Sequence, residues 1–318
     1  MNTGMYTKAM ALIPESENPH LPLISICMCT YRRSQMLEQL LVKLDAQTTE
    51  GRFQFSIVVV DNDVFESARG VVETCTKRLK VPIEYRIETR QNIALARNAS
   101  VAQASGELVA FIDDDEEPLN DWLLRLYETL LAYRADGVLG PVLPKFEENA
   151  PNWAVKGQVF QRPGFKTGTV IPWRITGTGN VLIKREVLLE SDGPFNPQLG
   201  AGGEDTDFFR RAMTRGRVFV WSAEAVCYEY VPPERTRVAF QLRRALLRGK
   251  VAARHGKSKW GGIVRSGVAV VVYAMVLPVC LLAGSHIFVT YLVKSFDHFG
   301  KLLASCRIDL VGDKYIAS

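Results

Sequence analysis

The sequence of 318 residues has no Cys-x-x-Cys pair and no cluster of cysteine with histidine. A structural zinc centre and a thioredoxin-like redox centre are therefore excluded as the source of its chemistry. Its six cysteines, at 27, 29, 75, 227, 280 and 306, read instead as reduced, buried thiols of a cytosolic protein. No Gly-x-Gly-x-x-Gly follows the first strand-like segment, where Thr30-Tyr31-Arg32-Arg33 stands, which argues against a dinucleotide oxidoreductase. The first twenty residues hold one lysine and no apolar run of signal-peptide length, and are expected to form a short flexible leader. Internal repeats and low-complexity segments are also lacking.

Charge is nearly balanced overall, with 39 basic against 34 acidic residues and a formal net charge of +5. The balance fails locally: between Glu234 and Arg265 almost every charged side chain is basic. Such a stretch suits a surface rich in phosphate. Few aromatics interleave these positive charges, and an apolar segment adjoins them, so an anionic lipid surface is expected rather than nucleic acid.

What is present in the first half is an alternation of buried-strand and helix patterns. Leu23 to Cys29, Phe55 to Val60, Val81 to Ile87 and Leu108 to Ile112 read as strands, with helical spacing at Met36 to Leu44, Val71 to Leu79 and Ile93 to Ala104. The rhythm predicts a Rossmann-like α/β domain with a mostly parallel sheet and helices on both faces. Ligands of such sheets bind beyond the carboxyl ends of the strands. Further helices are expected at Asn120 to Tyr133 and Glu204 to Arg215, with a loose region from Gly137 to Arg174 between them.

Beyond Arg265 the composition changes. Ser266 to Val293 carries no formal charge and, as a helix at about 1.5 Å per residue, is roughly 42 Å long. A tilted span, a re-entrant element and a buried helix pair all fit, with Pro278 and Gly284 interrupting the run. Phe288, Leu292, Phe296, Phe299 and Leu303 then form a stripe that suits either a membrane interface or packing on the protein. The expected organisation is a leader at 1–20, a catalytic domain at 21–233, a basic juxtamembrane helical region at 234–265, membrane-associated apolar helices at 266–304 and a tail at 305–318.

The strongest local signal is Phe111-Ile112-Asp113-Asp114-Asp115-Glu116-Glu117-Pro118, an apolar strand ending in consecutive carboxylates. These repel one another unless a cation lies nearby. Mg2+ and Mn2+ bind through one or two carboxylates plus substrate phosphates, so Asp113 and Asp115 are candidates for a metal and diphosphate site. Glu116, Glu117 and Asp121 fit equally well as acidic residues near the start of the next helix. A second acidic strand end, Val60-Asp61-Asn62-Asp63, can accept hydrogen bonds from a base or ribose, or cap a helix. Later, Gly200-Ala201-Gly202-Gly203 precedes a helix whose first turn holds Glu204, Asp205 and Asp207. Gly177-Thr178-Gly179-Asn180 is a small-residue loop suited to close approach of a sugar, and Trp173 beside it offers a face for stacking.

Taken together, Cys29-Thr30-Tyr31-Arg32-Arg33, Val60-Asp61-Asn62-Asp63, Asn92 with Ala96-Arg97-Asn98, Phe111-Ile112-Asp113-Asp114-Asp115 and Gly203-Glu204-Asp205-Thr206-Asp207-Phe208 resemble, in order, the inverting nucleotide-sugar transferases of glycosyltransferase family 2, whose catalytic domain has the GT-A fold. The resemblance implies that Asp61 contacts the nucleobase, Asp113 the nucleoside and Asp115 the metal, and that Asp205 is the general base. It places Thr30, Tyr31, Arg33, Asn92, Arg97, Asp114, Gly179, Asn180 and Glu204 around the nucleotide-sugar, and Asn98 beside Arg97. The blocks Cys-Thr-Tyr-Arg-Arg, Asp-Asn-Asp and Val-Pro-Pro-Glu-Arg are most similar to the bacterial exopolysaccharide branch typified by succinoglycan glucosyltransferases. That branch implies transfer of a hexose, glucose above all, from a UDP-sugar to an oligosaccharide on polyprenyl diphosphate at the cytoplasmic face of the inner membrane.

Two departures qualify the resemblance. Gln241-Leu242-Arg243-Arg244-Ala245 lacks the tryptophan of the processive Gln-x-x-Arg-Trp motif, which points to single-sugar addition. Where many members place a metal-binding histidine, Tyr228-Glu229-Tyr230 stands, making Glu229 the expected second metal ligand and Arg235 or Arg237 diphosphate contacts. The alternative is a membrane-anchored nucleotide-binding or regulatory module without transferase turnover, which leaves the Gly203-Glu204-Asp205 block unexplained.

Overall fold

The computed structural model describes residues 21–308 other than 201 and 255–258. The expected leader and most of the expected tail lie outside the described residues. In chain order the first half consists of β1 (Leu23–Thr30), α1 (Ser34–Asp45), β2 (Gln54–Asp61), α2 (Arg69–Arg78), β3 (Ile83–Ile87), α3 (Ile93–Gln103), β4 (Leu108–Phe111), β5 (Glu116–Pro118) and α4 (Trp122–Tyr133). The second half follows with β6 (Gly137–Leu139), β7 (Val142–Phe146), α5 (Asn152–Lys156), β8 (Val181–Lys184), α6 (Arg185–Leu188), α7 (Glu204–Thr214), β9 (Phe219–Trp221), β10 (Cys227–Val231), α8 (Val238–Arg254), α9 (Lys259–Ala283) and α10 (Ser285–Ser305).

Seven strands form one twisted sheet in the order β3-β2-β1-β4-β8-β6-β9. Its pairs are parallel except that β8 runs antiparallel to both β4 and β6. Strands β1, β2 and β4 are apolar on both faces because each face carries a helical layer. One layer packs Leu37, Leu41, Trp122 and Leu126 of α1 and α4 against Ile24, Ile26 and Val59. The other packs Ala94, Phe208 and Phe209 of α3 and α7 against Cys27, Val58 and Phe111.

The chain leaves β1 toward β2 and β3, then returns to lay β4 on the other flank of β1. The carboxyl ends of β1 and β4 therefore flank a topological switch point, where open α/β sheets bind ligands. Thr30 and the Asp113–Asp115 turn lie there.

A second, three-stranded sheet in the order β5-β10-β7 differs from expectation. Glu116–Pro118 is a strand paired antiparallel with Cys227–Glu229, and α4 starts only at Trp122, so the last carboxylates of the acidic run do not open a helix. The stretch after Gly137, read as loose, holds β6, β7 and α5. Strands of three to five residues are too short to show a period, and their edges are defined by partners far along the chain.

The cysteine reading holds for Cys27, Cys75, Cys227 and Cys280, which are free and buried, and needs correction at the half-buried Cys29 and the exposed Cys306. Pro278 sits inside α9 without ending it, whereas Gly284, with φ of 132°, does separate α9 from α10. Of the stripe on α10, Phe288 and Phe296 pack on the protein, gathering with the neighbouring Val289 and Val293 against Trp153, Ala154 and Ala245, whereas Phe299 is exposed.

Candidate active site

The acidic turn is held by β1 and by the loop after it. Thr30 Oγ1 donates to Asp114 Oδ2 at 2.8 Å, and Arg33 Nη1 donates to Asp114 Oδ1 at 2.7 Å and to Asp115 Oδ2 at 3.2 Å. Arg235 Nη2 reaches Asp115 from the other side at 3.4 Å. Even so, burial and the neighbouring Asp113 push the Asp115 carboxyl up to about 6. Burial also raises Asp114, against Arg33 and Thr30, and raises Glu116 further, with Asp113 adding to the effect. Glu116 Oε1 is buried and makes no hydrogen bond. A cation bound beside these crowded, buried carboxyls would favour their ionised forms.

Asp113, with its side chain 44% exposed, projects into the cleft. Arg97 on α3 sits beneath it, donating to Asp113 Oδ1 at 3.4 Å and pairing with Glu204 at the start of α7. Gly202 and Gly203 take φ of 133° and 94°, left-handed values that favour glycine, and turn the chain into α7. Asp205, in the first turn, is half-buried and accepts from the Thr206 amide at 2.6 Å. Its Oδ2 faces Gly177, 3.5 Å from where a Cβ there would lie. Gly179 sits so close to the carboxylates that a Cβ would strike Glu116 Oε1 and come within 3.1 Å of Asp113 Oδ2. Asp113, Arg97, Glu204, Asp205, Gly177 and Gly179 therefore meet at one cleft, although the sequence spreads them over a third of the chain.

A second part of the cleft is lined by Thr30, Tyr31, Arg33, Asn62, Gln91, Asn92 and Asp114. Asp61 is not among its walls. It is fully buried, accepting from the Asp63 and Ala68 amides and from the Tyr85 hydroxyl, so the expected nucleobase contact would come at the expense of these bonds. Asn92 caps α3, its Oδ1 accepting from Ala94 and Leu95, while its Nδ2 ties down the Pro197 carbonyl. Both shape the wall through the backbone they hold.

Other expectations are corrected by the packing. Asn180 is fully buried at φ of 53°: its Oδ1 accepts from Trp122 Nε1 at 2.7 Å and its Nδ2 donates to the Pro141 and Ala225 carbonyls at 2.8 and 2.7 Å. It fastens the loop to both sheets and has no group left for a sugar. Asn180→Ala is expected to lower the unfolding free energy by about 2 kcal/mol in urea, water replacing part of the lost bonding. An unchanged midpoint would show that these bonds contribute nothing net. Asn98 likewise exchanges hydrogen bonds with the Phe195 backbone. Trp173 already carries the Arg174 guanidinium over its ring, at 4.4 Å.

Glu229 is not a free metal ligand. Its two oxygens pair with Arg162 at 2.5 Å and Arg235 at 2.7 Å, so it holds these arginines beside the acidic turn. Among the described residues no three His, Cys, Asp or Glu side chains group as a metal cage. Asp115 also pairs with two arginines, Arg33 and Arg235, so it would hold a hard divalent cation, with phosphate oxygens completing the shell, in exchange for those contacts. Arg162 was invisible in the sequence: it lies in the stretch read as loose, and only β10 brings Glu229 to it. Gln241, buried, donates to the Arg235 carbonyl at 2.7 Å and fixes that residue's turn.

Comparison with known proteins follows the same lines. Residues 25–190 match the family model for Glycosyl transferase family 2, and residues 108–303 that for Glycosyl transferase family group 2. The chain is 35% identical over 236 residues, 74% of each protein, to the succinoglycan biosynthesis protein ExoM of Rhizobium meliloti. It is 25% identical over 209 residues to the glycosyltransferase AglE of Haloferax volcanii, covering 65% of this chain and 66% of that one. Among solved structures, a mannosyltransferase from Pyrobaculum calidifontis in complex with GDP-Man and Mn2+ superposes with a TM-score of 0.59 at 18% identity, over 91% of this chain and 87% of that one. Residues 1–349 of S. aureus TarS in complex with UDP give 0.53 at 17% identity, over 89% and 90%.

Proposed function

The chain belongs to glycosyl transferase family 2, with the α/β fold of its GT-A neighbours, and on that premise we propose that it moves a single hexose, glucose above all, from a UDP-sugar to a hydroxyl of a polyprenyl-diphosphate-linked oligosaccharide. The reaction inverts the anomeric centre and belongs to exopolysaccharide assembly at the cytoplasmic face of the inner membrane. Family membership makes the chain a glycosyltransferase and sets aside a purely regulatory module. The succinoglycan relative supports the class of product, and a neighbour that binds UDP supports the donor.

The observation that carries this reading is the bridge made by Arg97. One guanidinium holds Asp113, at the donor-side strand end, and Glu204, next to Asp205 on α7. The two sides needed for in-line displacement are thereby fixed relative to each other. On the donor side, Asp113 and Tyr31 face the nucleotide, with Arg33 positioning Asp114 and Asp115. A Mg2+ or Mn2+ ion held by Asp115 would supply charge neutralisation to the leaving diphosphate, and Arg235 adds a fixed positive charge beside it. On the acceptor side, Asp205, in the first turn of α7, takes the proton of the attacking hydroxyl.

The test is a screen of nucleoside diphosphate hexoses, with Mg2+ and with Mn2+, for transfer to a bacterial membrane lipid extract. Transfer of hexose from UDP-hexose to the lipid fraction is the expected result. Turnover of a different donor class, or transfer only to a soluble glycan, would overturn it. Asp115→Ala is expected to remove the metal dependence of donor binding, measured by titration calorimetry with UDP. Unchanged metal dependence would take Asp115 out of the metal site.

A further inference from the structure

Helix α9 leaves one face bare. Val264, Val268, Val271, Met275, Val279 and Leu282 recur every three or four residues and are 58–90% exposed, within a run, Gly261–Ala283, of mean hydropathy 2.3. The opposite face is covered by α10, which runs antiparallel: Ser266 meets His298 at 3.3 Å, and Tyr273 packs on Tyr291 at 5.9 Å.

Helix α10 is itself fixed to the catalytic body. Gly249 and Gly300 let α8 and α10 touch backbone to backbone, since a Cβ at Gly249 would run into the Asp297 carbonyl and one at Gly300 into the Leu246 carbonyl. Arg248 grips Asp297 through two hydrogen bonds, at 3.0 and 3.2 Å. Lys294 and Asp297 fall between the two points where α9 and α10 pair, alongside the apolar run. An α9 crossing a bilayer would drag these charges, and the edge of the catalytic body, into hydrocarbon. An α9 lying in the membrane plane immerses only its bare face.

Between α8, α9 and α10 lies a cleft of about 460 Å³ lined by Arg248, Tyr273, Lys294, Asp297, His298 and Lys301. Asp297 answers Arg248, while neither Lys294 nor Lys301 forms an ion pair among the described residues. Burial, together with Lys301, holds the His298 imidazole below its ordinary value, which favours the neutral ring. The cleft is therefore positive and opens beside an apolar helix face.

We propose that α9 lies in the plane of the membrane with its bare face in the acyl layer, and that the cleft takes the phosphate of an anionic phospholipid head group. The proposal rests on the membrane location given under the proposed function and goes beyond it by naming the orientation and the head-group site.

The experiment uses the full-length protein and flotation with vesicles of phosphatidylcholine alone or mixed with phosphatidylglycerol. Binding is expected to the mixed vesicles and to fall on the order of tenfold or more in Lys294→Glu/Lys301→Glu, but not in the control Lys77→Glu/Lys80→Glu at and just beyond the end of α2. Hydrolysis of UDP-hexose in solution should be the same in all three proteins, so loss of membrane binding and loss of transferase chemistry are read separately. Spin labels at Val264→Cys, Val271→Cys and Val279→Cys, in a Cys306→Ser background, should report one common shallow depth. Depths graded across the bilayer would overturn the in-plane orientation. Equal binding by the Glu variant, or displacement of the protein from vesicles by millimolar inorganic phosphate, would overturn the lipid site.

Discussion

Asp205→Asn is expected to reduce sugar transfer by roughly 10²–10⁴-fold, the usual contribution of a positioned general base, while donor binding with its metal persists. The split follows from where the residue lies. Asp205 is on α7, across the Gly177–Gly179 loop from the acidic turn, and makes no contact with Asp114 or Asp115; its hydrogen bonds go to Thr206. Asparagine keeps the size and accepts the same amide hydrogen bond, so the first turn of α7 should survive. What it loses is the capacity to take a proton from the acceptor hydroxyl. The measurements are initial rates of transfer and calorimetric titration with UDP. Transfer at the wild-type rate would place the base elsewhere, whereas joint loss of donor binding would make Asp205 part of the donor site.

Arg97→Met is expected to destabilise the fold by about 3–5 kcal/mol, as when one partner of a buried ion pair is removed. Arg97 and Glu204 have side chains only 11% and 4% exposed, and Glu204 Oε2 already makes no hydrogen bond. Burial pushes the Glu204 carboxyl above its ordinary value even against Arg97. Without the guanidinium, that carboxylate has no compensating charge. Adding Glu204→Gln should therefore recover a substantial part of the stability lost in Arg97→Met, measured by urea unfolding. It should not recover transfer, because Asp113 and α7 are no longer tied to one group. Two single losses that simply add in the double variant would show that the pair is not coupled.

Much of the architecture was legible in the residues. The strands β1, β2 and β4 are unbroken apolar runs, and α1, α3 and α4 carry helical spacing, so their positions follow from local pattern within two residues. The acidic end of β4 was equally plain, because five carboxylates in a row stand out against any background. The second sheet was not legible. Glu116–Pro118 has no period to read, and becomes a strand only because Cys227–Glu229 lies beside it.

The site divides along the same line. Sequence alone picked out Asp113, Asp115, Glu204, Asp205 and Gly179, residues whose type and neighbours are informative at short range. It also assigned ligand duties to Asp61, Asn180 and Glu229, and here the folded chain supplies other partners. A carboxylate or amide offers its lone pairs to whichever donors the fold delivers. The donors to Asp61 and Asn180 and the cations on Glu229 arrive from residues as many as 67 positions away. The tail shows the same division. Composition fixed an apolar run after a basic stretch, because hydropathy is a local sum. That α10 packs on α8 through Gly249 and Gly300, leaving α9 with one bare face and a positive cleft at its side, was decided only by tertiary structure, since which face of a helix is covered depends on what else the chain brings to it.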